Sequence, residues 1–503
     1  MATNNNKPFP ISLFASNEFL TFGLATLAFF FATFRVGQES FFIDEVTTYL
    51  TVNGSLFSQL LTVDANPPLY FILLKFWATI FGSSHEALRM FSVCAATISV
   101  VVMYRITILL GFDKISGVSA ALWFLCNPML IWYGQQARPY SMLVLMVLLW
   151  MYSIISFSTF GVQKTFVTLW TFIGISTHYY FVFFIIGIMV PLSLTLYLSE
   201  NRKKLYPLCI GIAVGFLAYL IHLPLILKQL KFYVWSATPQ WSELNYIFLN
   251  LFFSGPWNNE SFIALPGLLI FNAIFIVSLF KSFRTWKSRD SKTLTADLKS
   301  FWGIIFFTGC FLTVAIPIFI SRLEFFNPIY AIRYTIIAFP MFLLAPFAMG
   351  NSIFSRNNAQ KFIGACVLLV GLVAAIPGTI NYWSNHQEFD WRKAASIVES
   401  EWQKGDSIVF TPDWLVRSFE NNGGKVIKKV LIKDLFLNSE IKPEVKRVWL
   451  FTWEQNPDRD EMKLNSYLRS LPGSEERVHF PHKTLWEVKL PGASSRGIFT
   501  PTP

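Results

Sequence analysis

ALRMFSVCAATISVVVMYRITIL, residues 87–109, decides the fold. At a rise of about 1.5 Å per residue, a helix of this length covers roughly 34 Å, enough to cross a hydrocarbon core of about 30 Å. Its charges, Arg89 and Arg105, sit near the two ends, where long cationic side chains reach toward water. The apolar residues run all round the helix, so no polar stripe marks a water-facing side.

Comparable stretches recur on both sides of this one. About eleven spans are expected, near 18–36, 87–109, 116–133, 140–158, 165–178, 180–198, 205–224, 262–280, 300–320, 333–350 and 361–380. Composition agrees: 53% of the 503 residues are hydrophobic and 14% charged, against about 25% charged in soluble domains. The fold class expected is therefore a polytopic α-helical membrane protein. The first apolar run is too long for a secretory signal and lacks a small-residue cleavage site, so it reads as a retained span. Cys94, Cys126, Cys209, Cys310 and Cys366 all fall inside spans and read as small hydrophobes, neither disulfides nor zinc ligands.

The net charge of +11 does not call for a nucleic-acid partner, because Lys and Arg collect in short loops between spans. Arg105, Lys114, Lys164, Arg202-Lys203-Lys204, the basic run from Lys281 to Lys299, Arg356 and Lys361 all fall on one side. The positive-inside rule then puts the N-terminus in the cytoplasm and residues 381–503 outside. The first outward loop, 37–86, contains Leu69–Phe81, too short to span and read as an interfacial helix. The second, 225–261, carries Trp235, Trp241 and Trp257. After residue 380 the composition turns soluble. A helix from Trp391 to Gln403 with Asp390 near its N-cap, strands at 407–410, 426–432, 447–451 and 484–490, and a helix at 461–471 predict a small α/β domain.

Two groups of polar residues stand where chemistry could use them. Asp44 and Glu45 follow the first span, and an outward carboxylate there can take a proton from an attacking hydroxyl. A solvated loop acid explains the pair equally well from position alone. Lys75, Arg89, Arg138 and Arg333 lie at outward ends of their segments, against the orientation rule. Snorkelling accounts for any one of them, whereas four together suit a phosphate at headgroup level whose lipid tail lies in the bilayer. No GxxxxGK[ST] loop occurs, so nothing points to a nucleotide. His479-x-x-His482 lacks partners at zinc spacing, and the sequons at Asn53 and Asn259 are common by chance.

The order of these pieces resembles the GT-C glycosyltransferases. The match is to the bacterial branch similar to protein O-mannosyltransferases and the lipid A aminoarabinose transferase, the group labelled family 39 or RgtA/B/C/D-like. It is carried by Asp44-Glu45, NPPLYFILLKFW at 66–77, HEALRMFS at 85–92, IWYGQQARPY at 131–140, THYYFVFF at 177–184 and AIRYTIIAFP at 331–340. The resemblance implies a GT-C transmembrane domain over 1–380, including the loop 37–86, and an extracytoplasmic domain over 381–503. It implies transfer of a sugar from a polyprenyl-phosphate donor to a lipid, glycan or protein acceptor outside a bacterial inner membrane. Asp44 becomes the catalytic base and Glu45 its neighbour. Lys75, Arg89, Arg138 and Arg333 become phosphate ligands, and Tyr140, His178, Tyr179 and Tyr334 substrate contacts. Two positions depart from the pattern, since Asn66 and Gln136 replace the usual His and Glu. That weakens the case for a metal, and no metal ligand is assigned, although a divalent ion stays open. A transporter of lipid-linked sugars would share the spans and cations, but transporters place polar groups nearer mid-bilayer.

Overall fold

The computed structural model describes residues 18–55, 66–160, 164–198, 202–229, 238–248, 294–323, 328–354, 372–373 and 375–384. Beyond these it describes 390–411, 415–422, 436–437, 440–441, 445–453, 466, 469–471, 473–480 and 483–489. The span at 262–280, most of that at 361–380, the sequon at Asn259, Trp235, Trp257, the strand at 426–432, most of the helix at 461–471, Cys366 and His482 lie outside the described residues. The chain divides into two compact units, residues 1–36 with 50–384, and residues 37–49 with 385–503.

The first unit is helical. Helix α1 (Glu18–Thr33) gives way to a turn in which Arg35 takes a φ of 63°, the left-handed conformation that commonly stops a helix. Helix α2 (Ile43–Asn53) runs from the second unit into the first. Helix α3 (Leu69–Phe81) has the expected bounds, burying Tyr70, Phe71 and Leu74 and exposing Ile72, Phe76, Ile80 and Phe81. An exposed apolar face of this kind is at home in lipid. Helix α4 (His85–Leu109) begins at an N-cap in which Ser84 accepts from the Ala87 N–H.

The span expected at 116–133 is two helices, α5 (Lys114–Leu125) and α6 (Pro128–Gly134), bent by 61°. Pro128 has no N–H to continue the first helix, and Asn127 restarts the second by accepting from the Met129 N–H at 3.0 Å. Helices α7 (Tyr140–Phe160), α8 (Lys164–Thr177), α9 (Phe181–Leu198), α10 (Leu205–Gly215) and α11 (Leu217–Gln229) follow. A short α12 (Ser242–Tyr246) precedes the long α13 (Leu294–Ser321). The span expected at 333–350 opens as a 3₁₀ segment, Ile332–Ala338, before α14 (Phe339–Phe354). Among the described residues four helices are long and apolar enough to cross a membrane, or five with the bent pair, fewer than the eleven spans expected.

Helix α7 is the axis of the unit: 89% of its apolar window is buried, and Trp150 on it donates to Thr171 Oγ1 of α8 at 2.9 Å. Helices α9 and α13 meet through Gly187 and Gly309. A Cβ on Gly187 would stand 2.6 Å from the Gly309 carbonyl oxygen, so only glycine permits this approach. The pair α10–α11 lies at the periphery, exposing Tyr206, Leu220 and Ile221. With so much apolar surface turned outward, the protein is an integral membrane protein.

The second unit holds a four-stranded sheet in the order β1 (Asp406–Thr411), β4 (Arg447–Trp453), β6 (Lys483–Lys489), β5 (Gly473–Phe480). β1 and β4 are parallel and the other pairs antiparallel. A two-residue hairpin, β2 (Phe436–Leu437) with β3 (Glu440–Ile441), stands apart from it. Helices α15 (Trp391–Glu401) and α16 (Leu415–Asn421) supply Trp391, Ala394, Val398, Leu415 and Phe419 to a core shared with Ile408, Phe410, Trp449, Phe451 and Leu485. Asp390 caps α15 as expected, accepting from the Lys393 N–H at 3.0 Å. A buried charge cluster completes the unit: Arg447 bonds Asp406 and Glu487, and Glu487 also receives Arg477. Residues 37–49, grouped by the sequence reading with the transmembrane part, belong to this unit.

Candidate active site

Three interruptions of helix geometry build the polar part of the first unit. They are residues 135–139 between α6 and α7, residues 178–180 between α8 and α9, and the 3₁₀ segment Ile332–Ala338. Non-helical backbone within a membrane protein is tolerated where protein or a cavity encloses it. Each break carries residues singled out from the sequence: Arg138 and Tyr140, His178 and Tyr179, Arg333 and Tyr334.

These breaks meet around His178. Its ring lies 4.7 Å from that of Tyr334 and 6.4 Å from that of Tyr140, while Tyr140 and Tyr334 are themselves 6.4 Å apart, centroid to centroid. The Arg138 guanidinium stands 6.0 Å from the Tyr140 ring centre and that of Arg333 5.5 Å from the Tyr334 ring. Arg138 and Arg333 are the charges whose fields reach the imidazole. The backbone N–H of Tyr180 donates to His178 Nδ1 at 3.1 Å, so Nδ1 carries no proton and the ring is the neutral Nε2–H tautomer. That Nε2–H is buried and has no hydrogen-bond partner among the described residues. The result is two cations and one unsatisfied neutral donor in an aromatic setting, a constellation suited to an anionic oxygen.

Tyr180 completes the cluster and was not singled out from the sequence. Its ring lies 4.5 Å from Tyr334 and its hydroxyl donates to the Ile329 carbonyl at 2.7 Å, fixing the approach to the 3₁₀ segment. The helix break in Thr177-His178-Tyr179-Tyr180 was the available signal, but nothing in it told the two tyrosines apart. Tyr179 joins a neighbouring network: its hydroxyl donates to Gln229 Oε1 at 3.2 Å, and Gln229 Nε2 donates to the Asn66 carbonyl at 3.3 Å.

Two expected cations are engaged in tying the backbone. Lys75 Nζ donates to the Gly54 carbonyl just past α2 at 2.9 Å. Arg89, buried, donates to the Val36 carbonyl at 2.9 Å and so holds the chain leaving α1. Gln135 does similar work beside Arg138. Its amide nitrogen donates to the Ala32 and Phe34 carbonyls at 2.9 and 2.8 Å, and its oxygen accepts from Tyr382 at 2.7 Å.

Asp44 and Glu45 lie in the second unit, in the first turn of α2. Glu45 Oε2 accepts from the Phe42 N–H at 3.1 Å, capping the helix start, where a carboxylate is also favoured by the helix dipole. Asp44 is half-buried, with its carbonyl receiving Thr48 Oγ1 at 3.1 Å. The segment before it has no regular structure, and its backbone is held by Asn422 and Arg392 of the same unit. Among the described residues no group of three or more His, Cys, Asp or Glu is arranged to hold a metal ion. His479 pairs with Thr484 Oγ1 at 3.2 Å on the sheet.

The sequence matches no family profile and no curated protein. Solved structures do match over nearly the whole chain. ArnT from Cupriavidus metallidurans bound to undecaprenyl phosphate superposes with a TM-score of 0.52 at 10% identity, over 94% of this chain and 98% of that one. The apo state of the same protein gives a TM-score of 0.50 at 11% identity, covering 93% and 97%. The chain therefore shares the fold of ArnT. The likeness extends past the helices into the C-terminal unit, since 94% coverage cannot be reached without it.

Proposed function

We propose that the protein is a membrane glycosyltransferase that moves a sugar from a polyprenyl-phosphate donor to a hydroxyl acceptor on the outer face of a bacterial inner membrane. The observation that carries this reading is the cluster at His178, where an unsatisfied neutral N–H donor lies within the fields of two guanidiniums. The solved ArnT of the same fold was captured with undecaprenyl phosphate, a lipid phosphate of the kind proposed here.

In the proposed reaction the acceptor oxygen attacks the anomeric carbon while the bond from that carbon to the phosphate oxygen breaks. The phosphate leaves with the electron pair, and Arg138 and Arg333 offset the charge that develops on it. His178 donates its Nε2 proton in a hydrogen bond to a phosphate oxygen without transferring it. The acceptor proton passes to Asp44, the base assigned by resemblance. The aromatic rings of Tyr140, Tyr180 and Tyr334 provide flat apolar surface against the first isoprene units or a sugar face.

The deciding experiment is transfer of label from radiolabelled polyprenyl-phosphate sugars by membranes carrying wild type or Asp44→Asn, with and without chelator. Transfer by wild type alone supports the reading, and the chelator arm decides metal dependence. No transfer from any common donor, with donor still bound or moved across the bilayer, would favour a transporter instead.

A further inference from the structure

The segment leading into Asp44 is held by side chains far along the sequence, all within the second unit. Asn422, buried at the end of α16, accepts from the Phe41 N–H at 2.7 Å and donates to the Phe41 carbonyl at 3.3 Å. The Arg392 guanidinium donates to the carbonyls of Gly37 and Gln38 at 2.9 and 2.5 Å, and its own backbone N–H donates to Ser40 Oγ at 3.3 Å. The Lys483 ammonium stands 5.6 Å from the centre of the Phe42 ring. Four of these six contacts are to the segment's backbone. Irregular chain must find partners for its N–H and C=O groups, and those partners determine its path whatever side chains it bears.

We propose that Asn422 and Arg392 are positioning residues, and that the C-terminal unit serves catalysis by clamping residues 37–42 so that the α2 start, with Asp44, is held in one orientation. This rests on the transferase reading of Asp44. The reason for a clamp is geometric. A base must stand within hydrogen-bond reach of its proton, and a misplacement of about 1 Å costs on the order of 100-fold in rate. Glu45 secures the same turn from inside by accepting from the Phe42 N–H, so the N–H and carbonyl of Phe41 and the N–H of Phe42 are all held by side chains. Asn422 is itself braced, donating to the Ser418 carbonyl at 2.7 Å, which fixes the orientation of its amide.

The test pairs Asn422→Ala with Arg392→Ala in the full-length protein, and reads each variant twice. Hydrogen–deuterium exchange reports the clamp without reference to activity: exchange over residues 38–46 should accelerate at least about tenfold in both variants, with α4 and α7 unchanged. Transfer kinetics report positioning: kcat should fall about 10–100-fold while KM for the lipid donor stays within about twofold. Unchanged exchange over 38–46 in both variants overturns the clamp. Faster exchange with undiminished kcat overturns the positioning role. If wild type moves no sugar, or Asp44→Asn is fully active, the transferase assignment of Asp44 fails and the positioning role with it. The exchange result then still decides whether the clamp exists.

Discussion

The Tyr180 amide donates to His178 Nδ1 at 3.1 Å, and this one bond leaves the opposite ring nitrogen as a proton donor. The helix break does the work: the residue two positions on can reach back to the ring because the chain at 178–180 is not helical.

His178→Ala should lower kcat/KM for the lipid-linked donor by about 10–100-fold, the worth of one hydrogen bond to a charged oxygen. His178→Gln, whose amide can still donate, should recover part of it. Equal activity of wild type and His178→Ala in the transfer assay would remove His178 from the site.

Arg138→Ala and Arg333→Ala should each weaken donor use, by roughly 2–3 kcal/mol in kcat/KM. Lysine at either place should restore charge but not the guanidinium's planar fork of donors, and so rescue incompletely. Full rescue by lysine would show that only charge matters.

Asp44→Asn and Glu45→Gln should separate. Removing a general base costs about 100- to 10,000-fold in transfer. Glu45 caps the Phe42 N–H, so its amide variant should chiefly cost stability, about 1 kcal/mol, visible as a lower unfolding midpoint of the purified protein. The reverse ranking in rate would exchange their roles.

In the second unit, burial disfavours the Glu487 carboxylate, but hydrogen bonds from Arg447 and Arg477 outweigh it and hold its pKa below the ordinary value. A depressed folded pKa gives stability that is fully present above the unfolded value and lost as pH falls through the folded one. The destabilisation caused by Glu487→Gln should therefore be largest near neutral pH and shrink in acid below about pH 4, where wild type loses the same interaction. Thermal unfolding at pH 7 and pH 3.5 measures the difference, and a penalty that does not shrink would contradict it.

Much of this was legible beforehand because apolar length is a strong signal. The bounds of α3 follow from an apolar run, interrupted only by Lys75, that Gly82 closes, whereas α4 begins just after its Ser84 cap, two residues before the span expected at 87–109. The bend at Pro128 was readable in principle, yet hydropathy alone runs straight across it. β5 escaped notice because Glu475, Glu476 and Arg477 mask any alternation, as charges do on an edge strand. Arg138, His178 and Arg333 stand out in the sequence because charge and imidazole are conspicuous in an apolar chain, and the fold brings the three near one another. Sequence could not say that Lys75 and Arg89 are occupied with carbonyls, since their partners Gly54 and Val36 become neighbours only through the fold.

The clasp of Asn422 on Phe41 joins positions 381 residues apart, which sets an order of events during synthesis. At about 5–20 residues per second, Phe41 emerges roughly 20–80 s before the side chain that will hold it. The acidic turn therefore waits through the synthesis of nearly every helix, and a chain cut short before Asn422 carries Asp44 on a segment held only by Arg392 and Glu45 or by Glu45 alone. Completion of this clasp is thus a late event of synthesis, possible only once Asn422 has left the ribosome.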